Sequence, residues 1–149
     1  MFKGVILKKL NKYEDERGWL TEIFRSDEML TNPVMAYISS TKPGVARGPH
    51  EHVYQADVFV FIGPGMVEVN LWDRRENSST KGEHMKLEVG ENNPSMLVIP
   101  PGIVHAYKCI SEKDAWCINL PDKLYKGEGK KEEVDEIRWE SDPNSPYKI

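Results

Sequence analysis

Apolar positions along the chain come in short runs separated by turn residues. Six runs of strand length stand out, at 4–7, 34–39, 58–62, 66–72, 96–99 and 116–120. Glycine and proline, 11 and 10 in number, punctuate the intervals between them. Residues 66–72 alternate: Val67, Val69 and Leu71 share one face, and Glu68 and Asn70 share the other. A half-buried strand has this period of two. Residues 58–62 are apolar throughout, so that strand needs cover on both faces. No segment carries a long 3.6-residue period. The best helix candidate is 130–137, short and charged on all sides, expected as a surface turn or two. Many short strands with regular turns predict an all-β sandwich or jelly-roll barrel. Residues 142–149 are expected as a tail laid over the surface.

Composition narrows the function classes. The chain has 149 residues, enough for one domain over 1–149 with a real core. Its 24 acidic against 20 basic residues give a net charge of −4. Neither nucleic acid nor an anionic membrane attracts a net anion, which argues against general binding to either. A local basic pocket for a phosphorylated small molecule is not. No apolar run reaches the roughly 20 residues of a membrane helix. The apolar stretch near the N-terminus is too short for a signal peptide. Cys109 and Cys117 form no paired motif and are expected as reduced thiols in a cytoplasmic protein.

Of the four histidines, three fall in two places. His50 and His52 are two apart and share a strand face, with Glu51 on the opposite one. Gln55 and Asp57 follow closely, and His105 closes the distant segment Pro100-Pro101-Gly102-Ile103-Val104-His105. Three imidazoles and a carboxylate make a candidate set for one divalent ion of iron, manganese, nickel or zinc: His50, His52, Asp57 and His105. Solvated or hydrogen-bonded strand histidines are the alternative. His84 lies in the polar turn 81–84 and is expected at the surface. A glycine-led HxH followed by a distant PxGxxH is similar to the double signature of the cupins, which implies a cupin jelly-roll barrel (a double-stranded β-helix).

Further segments narrow the resemblance. Asp15, Arg17, Gly18, Glu22 and Phe24 are spaced as in D-x-R-G-x-x-x-E-x-F, the opening of the dTDP-4-dehydrorhamnose 3,5-epimerases. Lys42, Gly44, Val45, Arg47, Gly48 and His50 resemble that family's K-x-G-V-x-R-G-L-H. Asp73, Arg75, Ser78, Thr80 and Gly82 resemble its D-x-R-x-x-S-x-T-x-G. Residues 99–106 resemble I-P-x-G-x-A-H-G, and Ile137 and Trp139 its closing I-x-W. The resemblance runs in order from about residue 13 to 143. It implies a homodimeric isomerase acting on a nucleotide-linked 4-keto-6-deoxy sugar in deoxysugar or surface-polysaccharide biosynthesis. His50 would be the base that takes a proton from the carbon beside the ketone. Arg17, Glu22, Arg47 and Gln55 would bind the nucleotide diphosphate and sugar, and His105 would line the pocket. A histidine suits the task because its ordinary pKa of about 6.5 leaves it a neutral base near pH 7. Cover for the apolar run 58–62 is a second reason to expect a dimer.

Three departures accompany the resemblance. Where the family carries a lysine two residues after the pocket glutamine, this chain has Asp57. The family tyrosine about 13 residues after the second histidine is matched by Ile118, with Trp116 and Cys117 beside it. The family's base-orienting aspartate lies beyond the last position here, Ile149. Losing a lysine and gaining Asp57 and His52 moves the site toward metal binding, where a cation would supply the lysine's charge. A metal-binding or sugar-binding cupin without epimerase activity is the alternative function.

Overall fold

The computed structural model describes residues 1–29 and 31–149. Its strands are β1 (Ile6–Lys9), β2 (Tyr13–Asp15), β3 (Gly18–Leu20), β4 (Tyr37–Thr41), β5 (Ala46–Glu51) and β6 (Asp57–Phe61). They continue with β7 (Met66–Asp73), β8 (His84–Gly90), β9 (Ser95–Ile99), β10 (Ile103–Cys109), β11 (Ala115–Asn119) and β12 (Ile137–Arg138). One five-stranded sheet has the order β1-β9-β6-β11-β4, and the other β12-β5-β10-β7-β8. The described pairings are antiparallel, and the fold is the cupin jelly roll. Hairpin β2–β3 forms a small sheet of its own.

The alternation in β7 sorts its two faces, although Asn70 and Trp72 on the outer face are buried as well rather than left in solvent. Val67, Val69 and Leu71 are buried between the sheets with Phe59, Phe61, Leu97, Ile99 and Ile103. Burying a Leu or Phe side chain contributes roughly 1.5–3 kcal/mol, so this interior is the main source of stability. All of β6 is buried, as its unbroken apolarity requires. Its outer side chains, Val58 and Val60, pack against Leu10, Leu120, Ile23 and Met29 of the same chain. That cover comes from within the chain, so the apolar run is no argument for a second copy.

No helix forms over 130–137. The segment has charge on every side and no apolar stripe to bury, and its end becomes β12, which pairs with β5. Short 3₁₀ turns lie at Glu128–Lys130 and Trp139–Ser141. The tail packs on the outer face of the second sheet, where Tyr147 meets Trp72 and Trp139. Exposed His84 opens β8 rather than sitting in a turn, and its ring stacks on Trp72 at 4.6 Å. Among the described residues no helix is long and apolar enough to cross a membrane. Cys109 and Cys117 are free and buried.

Candidate active site

A cavity of about 1020 Å³ opens between the two sheets, with His50, His52, Arg47 and Gln55 on its lining. Strand β5 carries His50, and its neighbour β10 places His105 directly opposite in register. The strands close tightly here because Gly48 has no side chain. A Cβ at Gly48 would lie 2.6 Å from the His105 carbonyl oxygen, and its φ of +80° favours glycine as well. Beyond β5, the His52 carbonyl accepts from the Gly102 amide at 2.9 Å, tying the two histidine-bearing segments together. Glu51 points the other way, accepting from Arg74 Nε (2.6 Å) and Trp139 Nε1 (3.1 Å).

His50, His52, Asp57 and His105 form one cluster, with one potential ligand atom of each within 4.8 Å of the others. Asp57 is 1% exposed. Its Oδ1 accepts from Gln55 Nε2 and Asn119 Nδ2, both at 2.9 Å. Its Oδ2 lies 3.2 Å from His52 Nε2 and 3.4 Å from His105 Nε2. Burial alone would raise the Asp57 pKa, but His105 and His52 outweigh it and hold the carboxyl below its usual range.

Each imidazole has its Nδ1 turned to an acceptor. His105 Nδ1 faces the Ile103 carbonyl at 2.9 Å, and His52 Nδ1 faces the Asp135 carbonyl. His50 Nδ1 lies 3.8 Å from Glu136 Oε1. Among the described residues, His105 Nε2 is buried without a hydrogen-bond partner. His52 Nε2 lies 3.2 Å from both Asp57 Oδ2 and the Gln55 Nε2 amide. Burial lowers its pKa, yet the bond to Asp57 and that carboxylate's charge raise it further, and the net shift is upward. The His50 pKa is pushed down to about 2, first by burial and then by His105 and His52 beside it. His50 is therefore neutral at pH 7, with a lone pair available as a base.

The structure separates the other candidates. Arg47 lines the cavity, and its guanidinium donates to Thr41 Oγ1 (2.9 Å) and the Ser40 carbonyl (2.8 Å). His105 is 2% exposed and lies behind His50, ring centres 4.4 Å apart, rather than on the cavity lining. Arg17 and Glu22 are not on this cavity. Arg17 sits in the β2–β3 turn with its side chain 85% exposed and paired to Asp15. Glu22 lines a separate groove with Arg25 and Lys8. The local reason is the Asp15 carboxylate, which binds the Arg17 amide and guanidinium and closes the turn on itself. Ile118 packs outward with Val58 and Val60, and its strand neighbours Cys117 and Asn119 face the cavity instead.

Sequence reasoning passed over Asp135. Its carboxylate accepts the amides of Val53 (3.0 Å), Tyr54 (2.8 Å) and Gln55 (2.9 Å), so it shapes the loop that carries the site from β5 to β6. The 80-residue separation hides this clasp from any local pattern.

Jelly-roll walls around three imidazoles, a buried carboxylate and a lining arginine define a cupin small-molecule site. The chain's residues 1–144 match the family model described as dTDP-4-dehydrorhamnose 3,5-epimerase, and the chain belongs to that family of isomerases. It is 42% identical over 113 residues to the spore coat polysaccharide biosynthesis protein SpsL of Bacillus subtilis, covering 75% of this chain and 74% of that protein. It is 38% identical over 132 residues to the "Probable low-salt glycan biosynthesis epimerase Agl13" of Haloferax volcanii, covering 87% and 84%. The crystal structure of dTDP-4-dehydrorhamnose 3,5-epimerase from Sulfolobus tokodaii superposes with a TM-score of 0.72 at 30% identity, covering 81% of this chain and 73% of that one.

Proposed function

We propose that the protein is a sugar-nucleotide epimerase or ketoisomerase, one cupin domain over 1–149, acting on a nucleotide-linked 4-keto-6-deoxy sugar in deoxysugar or surface-polysaccharide biosynthesis. His50 on the cavity wall, opposite His105 in register and beside Arg47 and Gln55, carries this reading. It takes the proton from the carbon beside the ketone, and the electron pair of that C–H bond moves into an enolate. His52, held against the buried Asp57 carboxylate, supplies a polar group near the place where the family lysine is absent. Arg47 and Gln55 hold the substrate, arginine being suited to diphosphate because its planar fork donates two hydrogen bonds at once. The test is incubation with a dTDP-linked 4-keto-6-deoxyhexose in heavy water, followed by NMR. Deuterium should enter at a carbon beside the ketone. Binding without exchange would instead make the protein a sugar-binding cupin.

One observation favours a second reading, a resident divalent metal. The unpartnered His105 Nε2 is buried in a group whose ligand atoms converge, and the Nδ1 contacts of His105 and His52 leave their Nε2 atoms as the ligating pair. His50, His52, Asp57 and His105 would hold the ion, which would polarise the ketone oxygen as a Lewis acid. His50 Nε2 cannot bind a metal and accept a proton together, so the readings exclude each other at that atom. Elemental analysis of protein made without a histidine tag, with exchange measured before and after chelation, separates them. Chelator-insensitive exchange in metal-free protein supports the metal-free base.

A homodimer belongs to the same proposal. The β2–β3 hairpin exposes Trp19 (51%) and Leu20 (61%), and β4 and β11 expose Ile38 (57%) and Trp116 (44%). These apolar side chains are suited to a second copy. Light scattering at micromolar concentration should give twice the 17.1 kDa chain mass. The single-chain mass would refute it.

A further inference from the structure

Inverting a carbon takes two proton transfers on opposite faces, and His50 accounts for one. The sheet facing His50 presents β4 and β11, so an acid for the second face belongs on that wall. Tyr37, Ser39 and Cys117 lie there on the cavity lining. Ser39 Oγ is bonded to Tyr107 Oη at 2.9 Å, and the fully buried Cys117 thiol leans on its own strand's Ile118 carbonyl. Tyr37 differs. It stands opposite Asn119 in register, and its hydroxyl oxygen lies 2.9 Å from Asn119 Nδ2. That same Nδ2 lies 2.9 Å from Asp57 Oδ1, and an ionised carboxylate only accepts. The Asn119 side chain, 2% exposed, is thereby fixed with its amide hydrogens toward Asp57 and Tyr37. The Tyr37 oxygen is the acceptor in this bond, so its own hydrogen is not used in it. Burial also raises the Tyr37 pKa, so the phenol stays protonated at neutral pH.

We propose that Tyr37 is the second catalytic residue, the acid that delivers a proton to the carbanion face opposite His50. This rests on the epimerase reading above. The C–H bond beside the ketone breaks, its proton goes to His50, and the pair enters the enolate. The enolate then collapses onto the Tyr37 proton, forming a new C–H bond from the other side. Tyrosinate is reprotonated by water, which reaches it because Tyr37 is 49% exposed, and His50 returns its proton to solvent. Atoms balance, and only the configuration changes. The phenol function, lost where Ile118 turns outward, is thus restored from the adjacent strand.

The experiment compares wild type with Tyr37→Phe, using a dTDP-linked 4-keto-6-deoxyhexose in heavy water. NMR follows two readouts, deuterium entry beside the ketone and formation of the inverted sugar. Exchange in Tyr37→Phe should stay within about threefold of wild type while inverted product falls at least 100-fold, the lower end for loss of a general acid. Surviving exchange also shows the variant folded. Product formation at the wild-type rate overturns the assignment, as does equal loss of both readouts, which marks a structural or binding role. A wild type inert in both overturns the epimerase reading and this assignment with it.

Discussion

Removing the Asp135 carboxylate should cost both stability and turnover, because three consecutive amides depend on it. A buried charge-assisted hydrogen bond is worth about 1.5–3 kcal/mol. Val53 and Tyr54 are 49% and 74% exposed, so water takes over part of their pairing in Asp135→Ala, and Gln55 is half-buried. Discounting each bond to about 1 kcal/mol gives a loss of about 2–3 kcal/mol. For a chain of this size that is a melting decrease of about 5–10 °C. The Asp135 main-chain carbonyl survives the substitution and keeps its bond to His52 Nδ1. Any loss of activity therefore reports loop position and not a missing imidazole partner. A displacement of about 1 Å at a reacting group costs up to about 100-fold, so proton exchange should fall between 10- and 100-fold. Asp135→Asn retains one acceptor oxygen and should fall between wild type and Asp135→Ala in both measures. Thermal unfolding by circular dichroism and exchange by NMR provide the readouts. A melting shift under about 1 °C with unchanged exchange refutes the clasp.

Other consequences follow from the same geometry. The Asp73 carboxylate accepts from Arg75, Ser78 and Thr80, with Arg75 the largest of the influences holding its pKa below the usual range. A depressed folded-state pKa stabilises above the unfolded value of about 3.8 and is lost as pH falls, so the urea-measured stability gap between wild type and Asp73→Asn should shrink from pH 6 to about pH 3; a gap independent of pH contradicts this. Leu71→Ala empties a fully buried position and should cost about 2–5 kcal/mol in chemical denaturation, a loss under 1 kcal/mol being the contrary result. Gly48→Ala forces a Cβ against the His105 carbonyl at positive φ, and should depress exchange at least tenfold along with melting temperature; wild-type behaviour would show that β5 and β10 part easily.

Much of this was legible where the information is local. Alternation marked β7, and the unbroken apolar run marked β6 as doubly covered. The parity of His50, Glu51 and His52 separated the cavity side from the Arg74 and Trp139 side. Strand β8 is hard to read from the sequence: Met85, Leu87 and Val89 alternate with His84, Lys86 and Glu88, but charge masks the period. The 130–137 segment read as a charged turn, since nothing local shows that Ile137 and Arg138 pair with β5. Counting from His105 matches Ile118 to the family tyrosine, yet strand parity turns that position outward and puts Asn119 on the cavity. Asp135, Glu136 and Tyr37 reach the site only through long-range packing.

The central claim is that His50 is the base. It is tested most directly by solvent deuterium entry beside the ketone of a dTDP-linked 4-keto-6-deoxyhexose, in wild type and His50→Asn, with binding of the sugar nucleotide measured alongside. Asparagine keeps much of the size but accepts no proton at neutral pH. Exchange should fall by about 100- to 10,000-fold while the dissociation constant moves less than about threefold. Exchange at the wild-type rate in His50→Asn would contradict the account.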